Sequence, residues 1–117
     1  IVREELKGEV VWRVYLINYN TFLIKNVLVS SRGYGAINDQ KKKTTSFSHF
    51  LGDLTKQSYK PFELINEAVF GLTNEFLVTY YIEDVIYDKK YIFLPDAIQQ
   101  KNFTTIPLLK KKGVLIK

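Results

Sequence analysis

The stretch NEFLVTYYIEDVIYDKKYIFL, residues 74–94, predicts a β-hairpin. Every second residue from Phe76 to Ile82 is apolar, and this period of two places those side chains on one face of a strand. Glu83 and Asp84 then give a tight reversal, and the chain returns as a second strand from Ile86 to Leu94. Residues 74–94 are therefore the clearest antiparallel pair in the sequence.

Working outward, the same alternation predicts further short strands on both sides of the hairpin. Val10, Trp12, Val14 and Leu16 share one face of a strand that starts at Glu9. Pro61 lacks an N–H, so the strand that contains it is expected at a sheet edge or at a bend. The further predicted strands cover about residues 22–31, 44–51, 59–65, 104–109 and 114–116.

Short strands at near-regular spacing, with no long helical crossover between them, are typical of an all-β sandwich. We favour an immunoglobulin-like antiparallel β-sandwich of about seven strands over a barrel. The cysteine pair of antibody domains is missing, but Trp12 is expected as a core aromatic. Residues 66–73 have helical spacing interrupted by a glycine and stay open. Residues 1–8 are predicted as a lead-in or tail, and residues 9–117 as a single domain.

The composition excludes several classes of protein. There is no cysteine, which removes disulfides, thiolate chemistry and cysteine-type zinc sites. No apolar run approaches 18 residues, so we expect no membrane partner, and we expect a cytoplasmic location. The chain starts at Ile1 and has no methionine, so the native start is expected upstream of it.

The residues offer no recognisable catalytic, cofactor or metal constellation. His49 is the only histidine, and between Phe47 and Leu51 it is expected as a packed or hydrogen-bonded strand residue. Ser46 and Ser48 fall on the opposite face of that strand, which argues against a Ser–His pair within the segment. The glycines at 33 and 35 lack the remainder of any phosphate-binding motif. We therefore predict no enzyme, no catalytic residue, no cofactor and no metal.

The positive charge is concentrated in two lysine triplets, and the remaining charges nearly balance. Lysines that neutralise phosphates give salt-sensitive affinity for nucleic acid. Lysine-rich turns also keep β-proteins from pairing at their edges, which is the simpler interpretation. The candidate nucleic-acid contacts are Lys41, Lys42, Lys43, Lys110, Lys111 and Lys112.

Two strongly predicted strands carry apolar or aromatic residues on the face turned away from the core. These are Tyr15 and Ile17 on one strand and Leu77 and Tyr81 on the other. If the two strands are neighbours, the four side chains form a patch of the kind that marks a protein interface. If both faces are covered, they are ordinary packing residues.

Several strings of the sequence look like a family of small uncharacterised bacterial proteins. They are WRVYLIN (residues 12–18), VLVSSRGYG (27–35), NEFLVT (74–79) and KGVL (112–115). Members of that family have carried the label of a phenylalanyl-tRNA synthetase subunit. The residues do not support synthetase catalysis, because the chain is short and has only three arginines, Arg3, Arg13 and Arg32. The resemblance thus carries over no catalytic residue.

Two functions remain as hypotheses. The first is a non-enzymatic interaction module or accessory subunit, which binds a protein partner or a second copy of itself through an exposed face or a free sheet edge. The alternative is an RNA- or tRNA-binding accessory domain that uses the lysine-rich segments.

Overall fold

The computed structural model describes residues 1–37, 40–43 and 46–117, and it shows two layers of β-strands. The strands are β1 (Val2–Leu6), β2 (Glu9–Asn18), β3 (Ile24–Ile37), β4 (Gln40–Lys43), β5 (Phe47–Leu54), β6 (Ser58–Ile65), β7 (Thr73–Ile82), β8 (Val85–Phe93), β9 (Thr104–Ile106) and β10 (Lys111–Gly113). Single 3₁₀ turns cover Glu67–Val69 and Gln100–Asn102.

The first sheet has the strand order β6-β2-β1-β10-β9, and the second has the order β4-β3-β7-β8. β5 also pairs with β3, on the edge that β4 extends. Each described pair of strands is antiparallel. The predicted sandwich of two stacked antiparallel sheets is confirmed, with ten described strands instead of about seven.

The strand order follows the immunoglobulin arrangement over most of the chain. β1, β2 and β6 occupy the places of strands A, B and E, and β3, β7 and β8 occupy those of C, F and G. β4 and β5 lie beside β3, where the variable-type domain has its C′ strand. The short strands β9 and β10 extend the first sheet beyond β1.

The first eight residues differ from the prediction of a lead-in or tail. Residues 2–6 form β1, the middle strand of the first sheet, which pairs with β2 on one side and β10 on the other. Ile1 and Val2 are buried, and a side chain at Gly113 would collide with the carbonyl oxygen of Ile1. β1 is therefore part of the folded domain.

β6 shows how one edge of the sandwich is built. It is the edge strand of the first sheet, and its pairing with β2 shifts register between Val14 and Tyr15, opposite Pro61. The prediction that Pro61 lies at an edge or a bend is confirmed on both counts. The extra residue at the bulge is Phe62, which packs on Phe76 of the second sheet.

Other boundaries differ where strands are short. Gln40–Lys43, which lie between two of the predicted strands, form β4, and Asn38, Asp39 and Thr44 lie outside the described residues. The predicted strand at 114–116 is wrong, because β10 ends at Gly113. The open segment 66–73 contains a 3₁₀ turn in which the Asn66 side chain accepts a hydrogen bond from the Ala68 N–H, 2.8 Å.

The core lies between the two sheets and is rich in β-branched and aromatic side chains. Trp12 is buried as predicted, with its ring edge-on to Phe70 and Phe103 at 4.9 and 5.9 Å. Its Nε1–H donates to Glu67 at 3.0 Å. The most completely buried apolar side chains are Val2, Val27, Val29 and Leu54. Burial of this kind supplies the main free energy of folding.

Candidate functional site: the outer face of the second sheet

Apolar side chains lie along a diagonal on the outer face of the second sheet. Phe50 on β5 lies opposite Leu28 on β3, and Leu28 is a diagonal neighbour of Leu77 on β7. Leu77 is in turn a diagonal neighbour of Ile92 on β8. These four residues, called the outer stripe here, are 37% to 69% exposed, and Phe50 is the most exposed of them. The outer stripe is therefore a candidate interaction surface.

Charged side chains border the outer stripe. Arg32 Nε donates to Glu75 Oε2 at 2.6 Å, and Lys90 Nζ lies 3.5 Å from Glu75 Oε1. The side chains of Arg32 and Lys90 are about half exposed, whereas Glu75 is buried beneath them. The accessible ends of this ion-pair network are therefore positive.

This ion-pair network predicts an acid-sensitive contribution to stability. The hydrogen bond from Arg32 holds the pKa of Glu75 below its usual value, against a smaller opposing effect of burial. Because the folded-state pKa is the lower one, the stabilisation is present above the usual glutamate pKa and is lost as the pH falls below it. We expect Glu75→Gln to lower stability at pH 7 and to flatten its fall between about pH 5 and pH 3, measured by urea unfolding.

Glu83→Gln is the matched control, because Glu83 is exposed in the turn between β7 and β8. It should keep the wild-type dependence on pH. An unchanged acid slope in Glu75→Gln would show that the network contributes nothing to the folded state.

The four predicted interface residues lie on two different sheets. Tyr15 and Ile17 belong to β2 in the first sheet, and Leu77 and Tyr81 belong to β7 in the second. The structure therefore does not bring the four together into one patch. Leu77 is part of the outer stripe, while Tyr81 pairs with Lys25 and Ile86 at the far end of the same strands.

Tyr15 is already engaged on the first sheet. Its hydroxyl donates to Glu4 Oε1 at 2.7 Å, and its ring lies edge-on to Tyr59 at 5.9 Å. Burial would raise the pKa of Glu4, but hydrogen bonds from Lys111 and Tyr15 outweigh it, and the pKa is lowered. The outer face of the first sheet thus carries a hydrogen-bonded polar network around Tyr15, whereas the outer face of the second sheet carries the outer stripe.

The two lysine triplets lie in different sheets. Lys41, Lys42 and Lys43 are in β4, at the β3 edge of the second sheet. Lys111 and Lys112 are in β10 of the first sheet, and Lys110 is in the preceding turn with φ 57°. β4 and β5 lie along the same edge of β3, and β5 contacts β6, the edge strand of the first sheet. Within the first sheet, β10 is three strands from β6, a distance of roughly 14 Å. Contact with nucleic acid stays a prediction.

Lys111 also has a local role that the sequence does not reveal. Its Nζ bonds Glu4 Oε2 at 2.8 Å, and this hydrogen bond raises the pKa of Lys111. The Glu4 carboxylate offsets part of the positive charge that Lys111 presents to a phosphate.

His49 lies in a small polar cluster between the sheets. Its Nε2 is 2.8 Å from Glu63 Oε1, and the Ser31 hydroxyl donates to the same oxygen at 2.6 Å. A nucleophile must bond its base, whereas Ser31 and His49 are both bonded to the carboxylate. The His49 ring packs on Phe62 at 5.6 Å. This is the arrangement of a hydrogen-bonded strand residue on the inner face.

A groove of about 440 Å³ opens beside His49, and its lining includes Phe47, Phe62 and Val69. Within residues 1–37, 40–43 and 46–117, no three histidine, cysteine or acidic side chains are grouped closely enough to hold a metal ion. The described part of the chain also has no helix with the length and apolar character to cross a membrane.

Sequence reasoning missed Phe50, Leu28 and Ile92 as members of the stripe. A signal for Phe50 was present, because the period of two already places it on the face opposite His49. The diagonal itself depends on the register of β5, β3, β7 and β8, which the sequence does not state. No protein-family model matches the chain, and comparison with curated proteins and with solved structures gives no match either.

Proposed function

We propose that this protein is a non-enzymatic interaction module that binds a protein partner through the outer stripe. The observation that carries the proposal is the exposed diagonal of Leu28, Phe50, Leu77 and Ile92 across four strands, which the Glu75–Lys90 ion pair crosses between Leu77 and Ile92. Exposed apolar area of this kind costs solubility unless a partner covers it. Aromatic residues are enriched in the cores of protein interfaces, and Phe50, the most exposed residue of the stripe, provides one.

The charges beside the stripe define the chemistry of the partner. The half-exposed cations Arg32 and Lys90 flank the apolar residues, Arg32 in register with Glu75 and Lys90 in register with Leu77. An apolar centre with a charged rim is the common anatomy of a protein interface. The matching partner surface has apolar side chains at its centre and aspartate or glutamate at the rim, where opposite charges also speed association.

The test compares the wild-type protein with the double variant Phe50→Ser and Leu77→Ser. A tagged protein is used to capture partners from the source cell, and each captured protein is then purified and titrated by calorimetry. We expect the double variant to bind the partner at least about tenfold more weakly, because two apolar anchors are removed. Partner variants that neutralise acidic rim residues should weaken binding further as well.

Leu6→Ser is the matched control, because Leu6 is also an exposed leucine but lies on β1 of the first sheet. It should bind with wild-type affinity. Equal affinity of the stripe variant and the wild type for every purified partner would refute the outer stripe as the binding surface.

A further inference from the structure

β8 differs from the other edges of the sandwich. It is the last strand of the second sheet, it is nine residues long, and it pairs with β7 without a register shift. The other edges are protected: β6 has Pro61 and a bulge, β4 and β9 are four and three residues long, and β5 pairs with β3 through two register shifts. A long, regular edge presents unpaired N–H and C=O groups to another strand.

The side chains of β8 leave this edge open. Residues 85–90 are all exposed, and they include the large apolar residues Val85, Ile86 and Tyr87. Apolar side chains on an edge favour strand addition, whereas Asp88, Lys89 and Lys90 at its centre discourage it unless opposite charges face them. The edge therefore has both the backbone groups and the side chains that a further antiparallel strand needs.

The sequence of β8 is nearly palindromic about its centre. On each side of Lys89, the strand VIYDKKYIF has a charged residue, then a tyrosine, then an isoleucine and then another apolar residue. In order, the matching pairs are Asp88 and Lys90, Tyr87 and Tyr91, Ile86 and Ile92, and Val85 and Phe93. An isologous dimer brings the same strand of two copies together, antiparallel, so residue i faces residue j and j faces i. A palindromic strand satisfies that requirement with like facing like.

We propose that β8 is a self-association edge, at which β8 of a second copy pairs antiparallel about a two-fold axis through Lys89. In this register Asp88 of one copy faces Lys90 of the other, twice, and tyrosines 87 and 91 and isoleucines 86 and 92 face each other. Opposite charges directly across an antiparallel pair are stabilising, and so are aromatic pairs. The second sheet then continues from one copy into the other.

The alternative registers are less favourable. A two-fold axis perpendicular to the sheet pairs residues whose side chains lie on the same face of the sheet. The register between the two β8 strands therefore changes in steps of two residues, and each step moves the axis by one residue. An axis through Asp88 sets the two Asp88 carboxylates against each other, and an axis through Lys90 does the same for two ammonium groups. In the proposed register the central pair is Lys89, whose ammonium lies over the Tyr91 ring at 5.1 Å in each copy, directed along the strand. This geometry reduces the repulsion between the two Lys89 ammonium groups, which form the one like-charge pair of this register.

Pairing at β8 leaves the outer stripe accessible, because it uses the edge of the sheet and not its face. The stripe ends at Ile92, and the two-fold axis brings Ile86 of the other copy opposite this residue. Self-association therefore extends the stripe of each copy by one exposed isoleucine of the other copy. It does not depend on the proposed partner, so either proposal can fail alone.

The test is a charge-swap experiment by sedimentation velocity on the purified full chain. A single-strand interface is small, so we expect a wild-type dimer with a Kd on the order of micromolar. Asp88→Lys and Lys90→Asp should each weaken the homodimer about tenfold or more, because both attractive pairs become like-charge pairs. An equimolar mixture of the two variants should restore the dimer, because lysine then faces aspartate at all four positions.

Asp84→Lys is the control, since it makes the same charge change in the exposed turn just before β8. It should sediment like the wild type. Circular dichroism of each variant checks that the fold is retained, and urea unfolding is added for Lys90→Asp because this substitution also removes the ion pair with Glu75. A wild type that stays monomeric at several hundred micromolar, on the scale of a weak complex, would refute the proposal. A mixture that stays monomeric while the wild type dimerises would refute the register.

Discussion

Phe76→Ala should lower the free energy of unfolding by about 3–5 kcal/mol, the range found for a buried aromatic cut back to alanine. Phe76 is 4% exposed, and its ring is edge-on to Phe62 at 5.9 Å and to Phe93 at 5.8 Å. Through Phe62 it joins the second sheet to the bulge in the first sheet. The substitution therefore removes contacts on both sides of the sandwich together.

The space left by Phe76 cannot close easily. Phe62 is fixed by the bulge in β6, and Phe93 lies one strand away on β8 in a register without shifts. A cavity that the surroundings do not fill adds its own cost to the lost burial, which places this site at the upper part of the range. Urea unfolding monitored by the single tryptophan, Trp12, measures the change.

Leu77→Ala is the matched control for this prediction, because Leu77 is the next residue of β7 and points to the outer face. Its substitution should change the free energy of unfolding by less than about 1 kcal/mol. Similar losses for the two variants would mean that β7 does not separate a buried face from an exposed one.

The fold could be predicted wherever a strand has one buried and one exposed face. In β7, Phe76 and Val78 are buried and Leu77 is exposed, so the period of two is visible in the sequence. In β1 it is hidden, because Arg3, Glu4 and Glu5 make the strand look solvated. The Glu4 carboxylate is hydrogen-bonded by Tyr15 and Lys111, which are 11 and 107 residues away in the sequence. No pattern within β1 therefore predicts that Glu4 has these partners.

The candidate site could be predicted only in part for the same reason. Leu77 was found because its own strand shows the alternation, but its neighbours Leu28 and Phe50 come from strands that the chain visits much earlier. His49 was correctly expected to be hydrogen-bonded, yet its partner Glu63 and their common neighbour Ser31 could not be named. Period and propensity give faces of strands, whereas register between distant strands decides which side chains meet.

Asn18 is the polar residue on which the junction between the two sheets depends. It is the last residue of β2 and is 2% exposed. Its Nδ2 donates to the carbonyl oxygens of Phe22, Leu54 and Thr55 at 3.0, 3.2 and 3.0 Å. Its Oδ1 accepts from the backbone N–H and the side-chain amide of Asn20, both at 3.0 Å. The side chain thus ties the end of β2 to the start of β3 and the end of β5.

Asn18→Asp keeps the shape of this side chain and should cost about 3–5 kcal/mol at pH 7, because a buried carboxylate then faces three carbonyl oxygens. Burial and those oxygens raise the pKa of the new carboxyl above its unfolded value. Protonation is therefore favoured in the folded state, and the variant should gain stability as the pH falls from 7 towards 4, opposite to the effect of Glu75. Urea unfolding across this range measures both effects.

Asn66→Asp is the control, because there the side-chain oxygen only accepts from Ala68 and a carboxylate accepts equally well. A variant at Asn18 that loses stability on acidification as the wild type does would contradict this account of the junction.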